Sequence, residues 1–236
     1  PIPDLKLQIM AWQHQFAAMF GDAALQRVRG FSPPEMHLPN HPDTLFQFIL
    51  ALKQCGYQWL LVQEHSVETL DGTPLAQEQK NLPNRLMARN SSGETISITA
   101  LIKTQGSDTK LVGQMQPCYE AMGLQPTTLA GREIPPLVSQ IADGENGGVM
   151  MNEFPAAYCQ ANERIRDDSN GTVAINGSEY LELLEGEGIS EDECPAIQAV
   201  QQQRLWNAVG ATLNRQTVEE AIDRLATAGD RFSMEG

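Results

Sequence analysis

The stretch from Pro42 to Gln63 constrains the fold more than any other. Between Pro42 and Gly56, Leu45, Phe48, Ile49 and Leu52 share one helical face, and Gly56 supplies a stop. Asp43 or Asn40 can cap the start of this helix. Tyr57-Gln-Trp-Leu-Leu-Val-Gln63 follows at once as a run of β-formers and leads straight into Glu64-His65. Strand and helix patterns alternate along most of the chain. Such alternation implies a parallel sheet, open or closed into a barrel.

The remaining elements follow the same reasoning. Asp4 to Phe20 reads as an amphipathic helix stopped by Gly21, and Arg27 to Phe31 as a short strand leading into Ser32-Pro-Pro-Glu35. Residues 69–94 form a polar excursion with short strands at its ends, and Thr95 to Ile102 is a strand. Lys110 to Met122 reads as a helix interrupted near Pro117. Pro136 to Ala142 reads as a buried strand ending at Asp143, followed by a helix from Asn152 to Ile165. A strand at Thr172 to Ile175 and helices at Ser178–Leu184, Gln198–Leu213 and Val218–Ala228 complete the expectation. Residues 1–236 are expected to form one (β/α)-barrel domain, incomplete or irregular, cut from a longer chain at both ends.

Charge and cysteine usage narrow the classes of partner. Formal net charge is −14, with 30 acidic against 16 basic residues. That balance argues against nucleic acid and anionic lipid as partners, both of which call for surplus Lys and Arg. Much of the excess lies in Glu179, Glu182, Glu185, Glu187, Glu191, Asp192 and Glu193, which read as a solvated acidic face. No run of 18 apolar residues indicates a membrane span. Cys55, Cys118, Cys159 and Cys194 are far apart, without a C-x-x-C pair, and read as reduced thiols of a cytoplasmic protein. Neither a phosphate-cradling G-x-x-x-x-G-K-[ST] loop nor a G-x-S-x-G nucleophile elbow occurs.

The acidic residues are informative by position. Three expected strands lead into acids: Arg27–Phe31 into Glu35, Tyr57–Gln63 into Glu64-His65, and Pro136–Ala142 into Asp143-Gly-Glu145. In parallel α/β folds the C-terminal strand ends share one face, and that face holds the active site. Acids in such loops also serve as helix caps. Gly144, Gly147 and Gly148 strip side chains from around Asp143 and Glu145, more than a cap requires, and permit close approach by a ligand. Converging carboxylates suit glycoside chemistry, with one as nucleophile and the other as proton donor. Together with His65 or His37 they also suit a cation, although neither histidine has a partner at i+4.

The segment "RGFSPPEMHLPNHPDTLFQFILALKQCGYQWLLVQEH" resembles the central part of glycoside hydrolase family 57, where an Arg-Gly-Phe-Trp-Leu-Pro-Glu-like element precedes a helix and an acid-terminated strand. "IADGENGGVMMNEFPAAY" resembles the later Asp-x-Glu-x-Phe-Gly element, and "FSMEG" the start of a Met-Glu/Asp-Gly-Ser-Trp element. The family includes α-amylases, 4-α-glucanotransferases and branching enzymes. The resemblance implies an incomplete (β/α) barrel acting on α-glucans by a retaining mechanism, with no metal or other cofactor. By position it implies Glu35 as nucleophile and Asp143 as general acid/base, with Glu64, His65, His37 and Glu145 binding substrate. Two departures stand out: Ser32-Pro33 replaces the usual Trp-Leu, and Gly147 stands where an aromatic is usual. A glucan-binding barrel without catalysis and a metal-dependent deacetylase-like hydrolase are the alternative readings.

Overall fold

In the computed structural model, residues 2–36, 38–104, 115–139, 154–167 and 171–227 are described below. The protein is an α/β fold that divides into two units. Unit 1 comprises residues 1–75, 84–100 and 195–236, and unit 2 comprises 76–83 and 101–194.

Unit 1 opens with helix α1 (Ile2–Phe20), stopped as expected at Gly21, whose φ of 88° suits glycine alone among common residues. Trp12, Phe16 and Phe20 stack along α1 at i, i+4 spacing, with ring centroids 5.0 and 4.8 Å apart. The one-turn helix α2 (Asp22–Leu25) and strand β1 (Gly30–Phe31) follow, and the chain then turns through a 3-10 segment at Pro34–Met36. Helix α3 (Pro42–Gln54) carries the expected apolar face, with Leu45, Ile49 and Leu52 at 1% exposure or less. Its N-cap is His41, with Pro42 in the first turn. Neither Asp43 nor Asn40 caps it: the Asp43 carboxylate accepts from the Ser91 backbone N–H (2.6 Å) and hydroxyl (2.8 Å) instead.

Besides β1, the central sheet contains β2 (Trp59–Gln63), β3 (Val67–Thr69), β4 (Asn84–Arg89), β5 (Thr95–Lys103) and β8 (Ala196–Ala199). Their order across the sheet is β1-β2-β5-β4-β8-β3. β1 pairs parallel with β2, and β4 parallel with β8. β4 and β5 form an antiparallel hairpin, and β3 runs antiparallel to β8. The α/β class and the incomplete barrel with parallel strands therefore hold, with antiparallel neighbours added where the polar excursion folds back on the sheet. Leu60, Val62, Leu86, Ile98 and Ile197 are wholly buried along these strands. β8 replaces the first part of the expected helix at 198–213; the helix there is shortened to α7 (Gln202–Ala208), which follows a left-handed Gln201. Helix α8 (Arg215–Thr227) packs Val218, Ala221 and Ile222 against Leu205 of α7.

In unit 2, helix α4 (Gln116–Gly123) holds Pro117 in its first turn, where a missing N–H does no harm. Helix α5 (Phe154–Ile165) places Ala161 against Met115 and Cys118. A hairpin of β6 (Thr127–Leu129) and β7 (Arg132–Ile134) turns through left-handed Ala130 and Gly131. Helix α6 (Gly177–Gly186) begins in a capping box, with Asn176 Oδ1 accepting from Glu179 N and Glu179 Oε2 from Asn176 N. Neither Pro136–Ser139 nor Thr172–Ile175 forms a strand. Leu137 instead exchanges hydrogen bonds with Asn81, and Ser139 Oγ donates to the Ile102 carbonyl at 2.7 Å.

Candidate active site

Gly30 pairs with Trp59 and Phe31 with Leu60, so β1 and β2 run parallel and leave the sheet in the same direction. This close pairing depends on Gly30 lacking a side chain, because the Trp59 indole lies directly over it. Phe31 is held edge-on by the rings of Phe48 (5.9 Å) and Tyr57 (5.2 Å), which anchors the strand end. Past β1 the chain enters the Pro34–Met36 turn, closed by Met36 N donating to Pro33 O at 2.8 Å and carrying Met36 at a left-handed φ of 52°. Past β2 it enters a matching 3-10 turn, Glu64-His65-Ser66. Glu35 lies in the first turn and Glu64 and His65 in the second, so these segments share one edge of the sheet. Glu64 is half-buried and His65 exposed.

A third strand end joins them within the same unit. Val200, just past β8, donates to the Ser66 carbonyl at 3.0 Å. Two residues on, Gln202 Nε2 donates to the carbonyl of Asn40, between β1 and α3. The turn after β8 is organised by Glu68, which is only 6% exposed. Its Oε1 accepts from Gln203 N (2.9 Å) and Gln198 Nε2 (3.0 Å), and its Oε2 from Gln201 N (2.9 Å). These charge-assisted bonds compensate burial of the carboxylate.

Asn40 and His41 complete the cluster. Asn40 is 4% exposed, and its Oδ1 has no hydrogen-bond partner among the described residues. His41 Nδ1 is likewise buried without one, while His41 Nε2 lies 3.5 Å from Glu219 Oε1 on α8. Buried polar atoms without partners are costly, and Asn40 and His41 follow the Glu35 turn closely in sequence.

Of the residues expected at the site, Glu35, Glu64 and His65 fall on segments that the fold brings to one sheet edge. His37, Asp143 and Glu145 lie outside the described residues, as do residues 140–142 of the third expected acidic strand end. Among the described residues, no group of three or more His, Cys, Asp and Glu side chains is placed to hold a metal ion. Asn40, His41, Glu68 and Gln202 were not legible in the sequence. Each is a polar residue in a polar-looking stretch, and only its burial distinguishes it. The run Gln201-Gln-Gln203 gives no hint that its middle member is 3% exposed.

No family model matches the sequence, and no curated protein matches it. Among solved structures, the chain is similar to the 4-α-glucanotransferase from Thermococcus litoralis, with a TM-score of 0.56 and 15% sequence identity. The likeness covers 98% of this chain and 32% of that one, so the chain spans about a third of the transferase. At that identity the likeness is one of fold. No described helix is long and apolar enough to cross a membrane.

Proposed function

We propose that this chain carries the active-site part of an enzyme acting on α-glucans, a retaining glycoside hydrolase or glucanotransferase. The observation that carries the reading is the fold likeness to a 4-α-glucanotransferase over 98% of the chain. It agrees with a family resemblance that rests on separate grounds, the motifs around Glu35 and Asp143. In this reading the Glu35 carboxylate attacks the anomeric carbon of the scissile glucosyl unit, forming a glycosyl ester with inversion. Asp143 gives its proton to the departing glycosidic oxygen. Asp143, now a carboxylate, then takes a proton from water or from the 4-hydroxyl of a second glucan, whose oxygen displaces Glu35 with a second inversion. Water as acceptor gives hydrolysis, and a glucan hydroxyl gives transfer. Glu64, His65, His37 and Glu145 bind the sugar hydroxyls. The chemistry uses no metal and no organic cofactor. A cytoplasmic location belongs to the same reading and fits four free thiols.

Chain-length analysis of a linear α-glucan after incubation with the protein tests this. Redistributed or shortened chains are expected, and Glu35→Gln should lower the rate by at least about 10³-fold, since it removes the nucleophile but keeps its shape. Undiminished turnover by Glu35→Gln would sink the assignment. Ser32-Pro33 and Gly147, in place of aromatic groups beside both acids, favour a second reading, a glucan-binding barrel without catalysis. Saturable glucan binding with no product, in wild type and Glu35→Gln alike, is its signature.

A further inference from the structure

Gln202 combines features that a surface glutamine at the start of a short helix does not need. It is 3% exposed, and its amide nitrogen is spent on the main-chain carbonyl of Asn40, itself 4% exposed. The two residues are 162 apart in sequence. Gln202 reaches Asn40 because Gln201 adopts a left-handed conformation, φ 71°, which a residue with a Cβ holds only when its surroundings impose it. The imposing group is Glu68, whose two carboxylate oxygens grip the backbone N–H groups of Gln201 and Gln203, both at 2.9 Å. Gln198 adds a side-chain donor to the same carboxylate at 3.0 Å. Buried and charge-assisted, this grip joins three donors to one carboxylate at ordinary hydrogen-bond distances.

At the receiving end, the segment from Ser32 to Asn40 is fastened at both ends. Phe31 is clamped by Phe48 and Tyr57 at the first end. At the second, Asn40 directly precedes the cap residue of α3 and accepts from Gln202. Glu35 lies between these fasteners, in a turn whose neighbour Met36 is itself left-handed. A segment containing such a conformation stays in place only if its ends are held.

We propose that Gln202, oriented by Glu68, is a positioning residue for the turn that carries Glu35. It touches neither substrate nor reacting atoms; it acts through the Asn40 carbonyl to keep the turn in register with the end of β2. This rests on the assignment of Glu35 as nucleophile. Misplacing a reacting group by about 1 Å can reduce a rate by about 100-fold while substrate binding elsewhere is unchanged. Loss of the tie should therefore appear in kcat rather than KM.

The test compares Gln202→Met, which keeps the shape and removes the donor, with Gln203→Met, whose side chain takes no part. Turnover of a linear α-glucan by Gln202→Met should show kcat lowered by about 10- to 100-fold with KM within about two-fold. Gln203→Met should match wild type. In a Glu35→Gln background, Gln202→Met should cause no further loss, because the residue it positions is already disabled. Hydrogen exchange read on the peptide spanning 32–45 should show lost protection in Gln202→Met, with the β4–β5 hairpin unchanged. Unaltered kcat together with unaltered exchange would overturn the proposal, as would a rise in KM that accounts for the whole effect. Gln202→Glu, which turns the donor into an acceptor facing Asn40 O, gives the same readings if Gln202→Met does not fold. Global unfolding of both would also overturn it, by showing a tie for the whole unit. If Glu35→Gln retains full turnover, the nucleophile assignment has failed, and the exchange measurement still decides whether Gln202 holds the segment.

Discussion

A methyl group at Gly30 would lie 2.1 Å from Cζ2 of Trp59 and within 2.5 Å of two further indole atoms. No ordinary contact is that short, and the indole is a rigid ring paired in register on the adjacent strand. Gly30 is thus required by close approach; no unusual backbone angle is needed to explain it. Gly30→Ala should destabilise unit 1 by about 1–3 kcal/mol, the usual range for overpacking. A urea midpoint equal to wild type would show that the strand pair yields freely. The sequence offers Arg29-Gly30-Phe31 at the end of an expected strand, but nothing in it names Trp59 as the ring that demands the glycine. Asn40 and Gln202 make the same point from the polar side, since their composition reads as surface and their contacts are buried.

Helix α6, expected over Ser178–Leu184, forms over Gly177–Gly186 and opens on the Asn176–Glu179 capping box. Its attachment was not legible in the sequence. Tyr180, on the first turn, is 3% exposed and donates its hydroxyl to the Pro135 carbonyl at 2.8 Å. Burial, and secondarily the nearby Cys194, pushes the phenol well above its ordinary range. The consequence for stability has a definite sign. The unfolded phenol ionises near pH 10 and the folded one only above that. The folded state's advantage is therefore intact below pH 10 and declines as pH rises beyond it. Tyr180→Phe should lose about 1 kcal/mol at pH 7 through the missing hydrogen bond. Between pH 9 and 11 its urea midpoint should fall less than that of wild type. Parallel loss in both proteins would place the alkaline instability elsewhere. The expected strands at Pro136–Ala142, described only as far as Ser139, and at Thr172–Ile175 show the limit of such signals: neither Pro136–Ser139 nor Thr172–Ile175 is a strand. A short apolar run is only a candidate strand, and it becomes one when a neighbour with free backbone groups lies alongside. Among the described residues, Leu137 pairs its backbone with Asn81, which lies in a 3-10 turn and not in a strand.

For the molecule as a whole, the proposed chemistry divides labour between two carboxyl groups, and that division is testable apart from the nucleophile. Asp143→Asn removes the proton donor and should lower glucan turnover by about 10²–10⁴-fold. An aryl α-glucoside whose phenolate leaves without protonation should largely escape this loss in the glycosylation step, visible as a burst of released phenol. Equal impairment on both substrates would count against the role. The likeness to a 4-α-glucanotransferase spans 98% of the chain and only 32% of that protein, so the substrate range is best tested on protein of the transferase's length as well.

The sequence by itself determined the α/β class, the positions of α1, α3, β2, β5 and α8, and the placement of Glu35 and Glu64 just past strands. These follow from local periodicity and punctuation, which act over a few residues. Only the tertiary structure decided that β8 is a strand, that Asp43 serves Ser91 instead of capping α3, and that Glu68 and Gln202 tie the turn after β8 to β3 and to Asn40. Each depends on a partner dozens to more than a hundred residues away, whose location is set by sheet order and not by the neighbouring sequence.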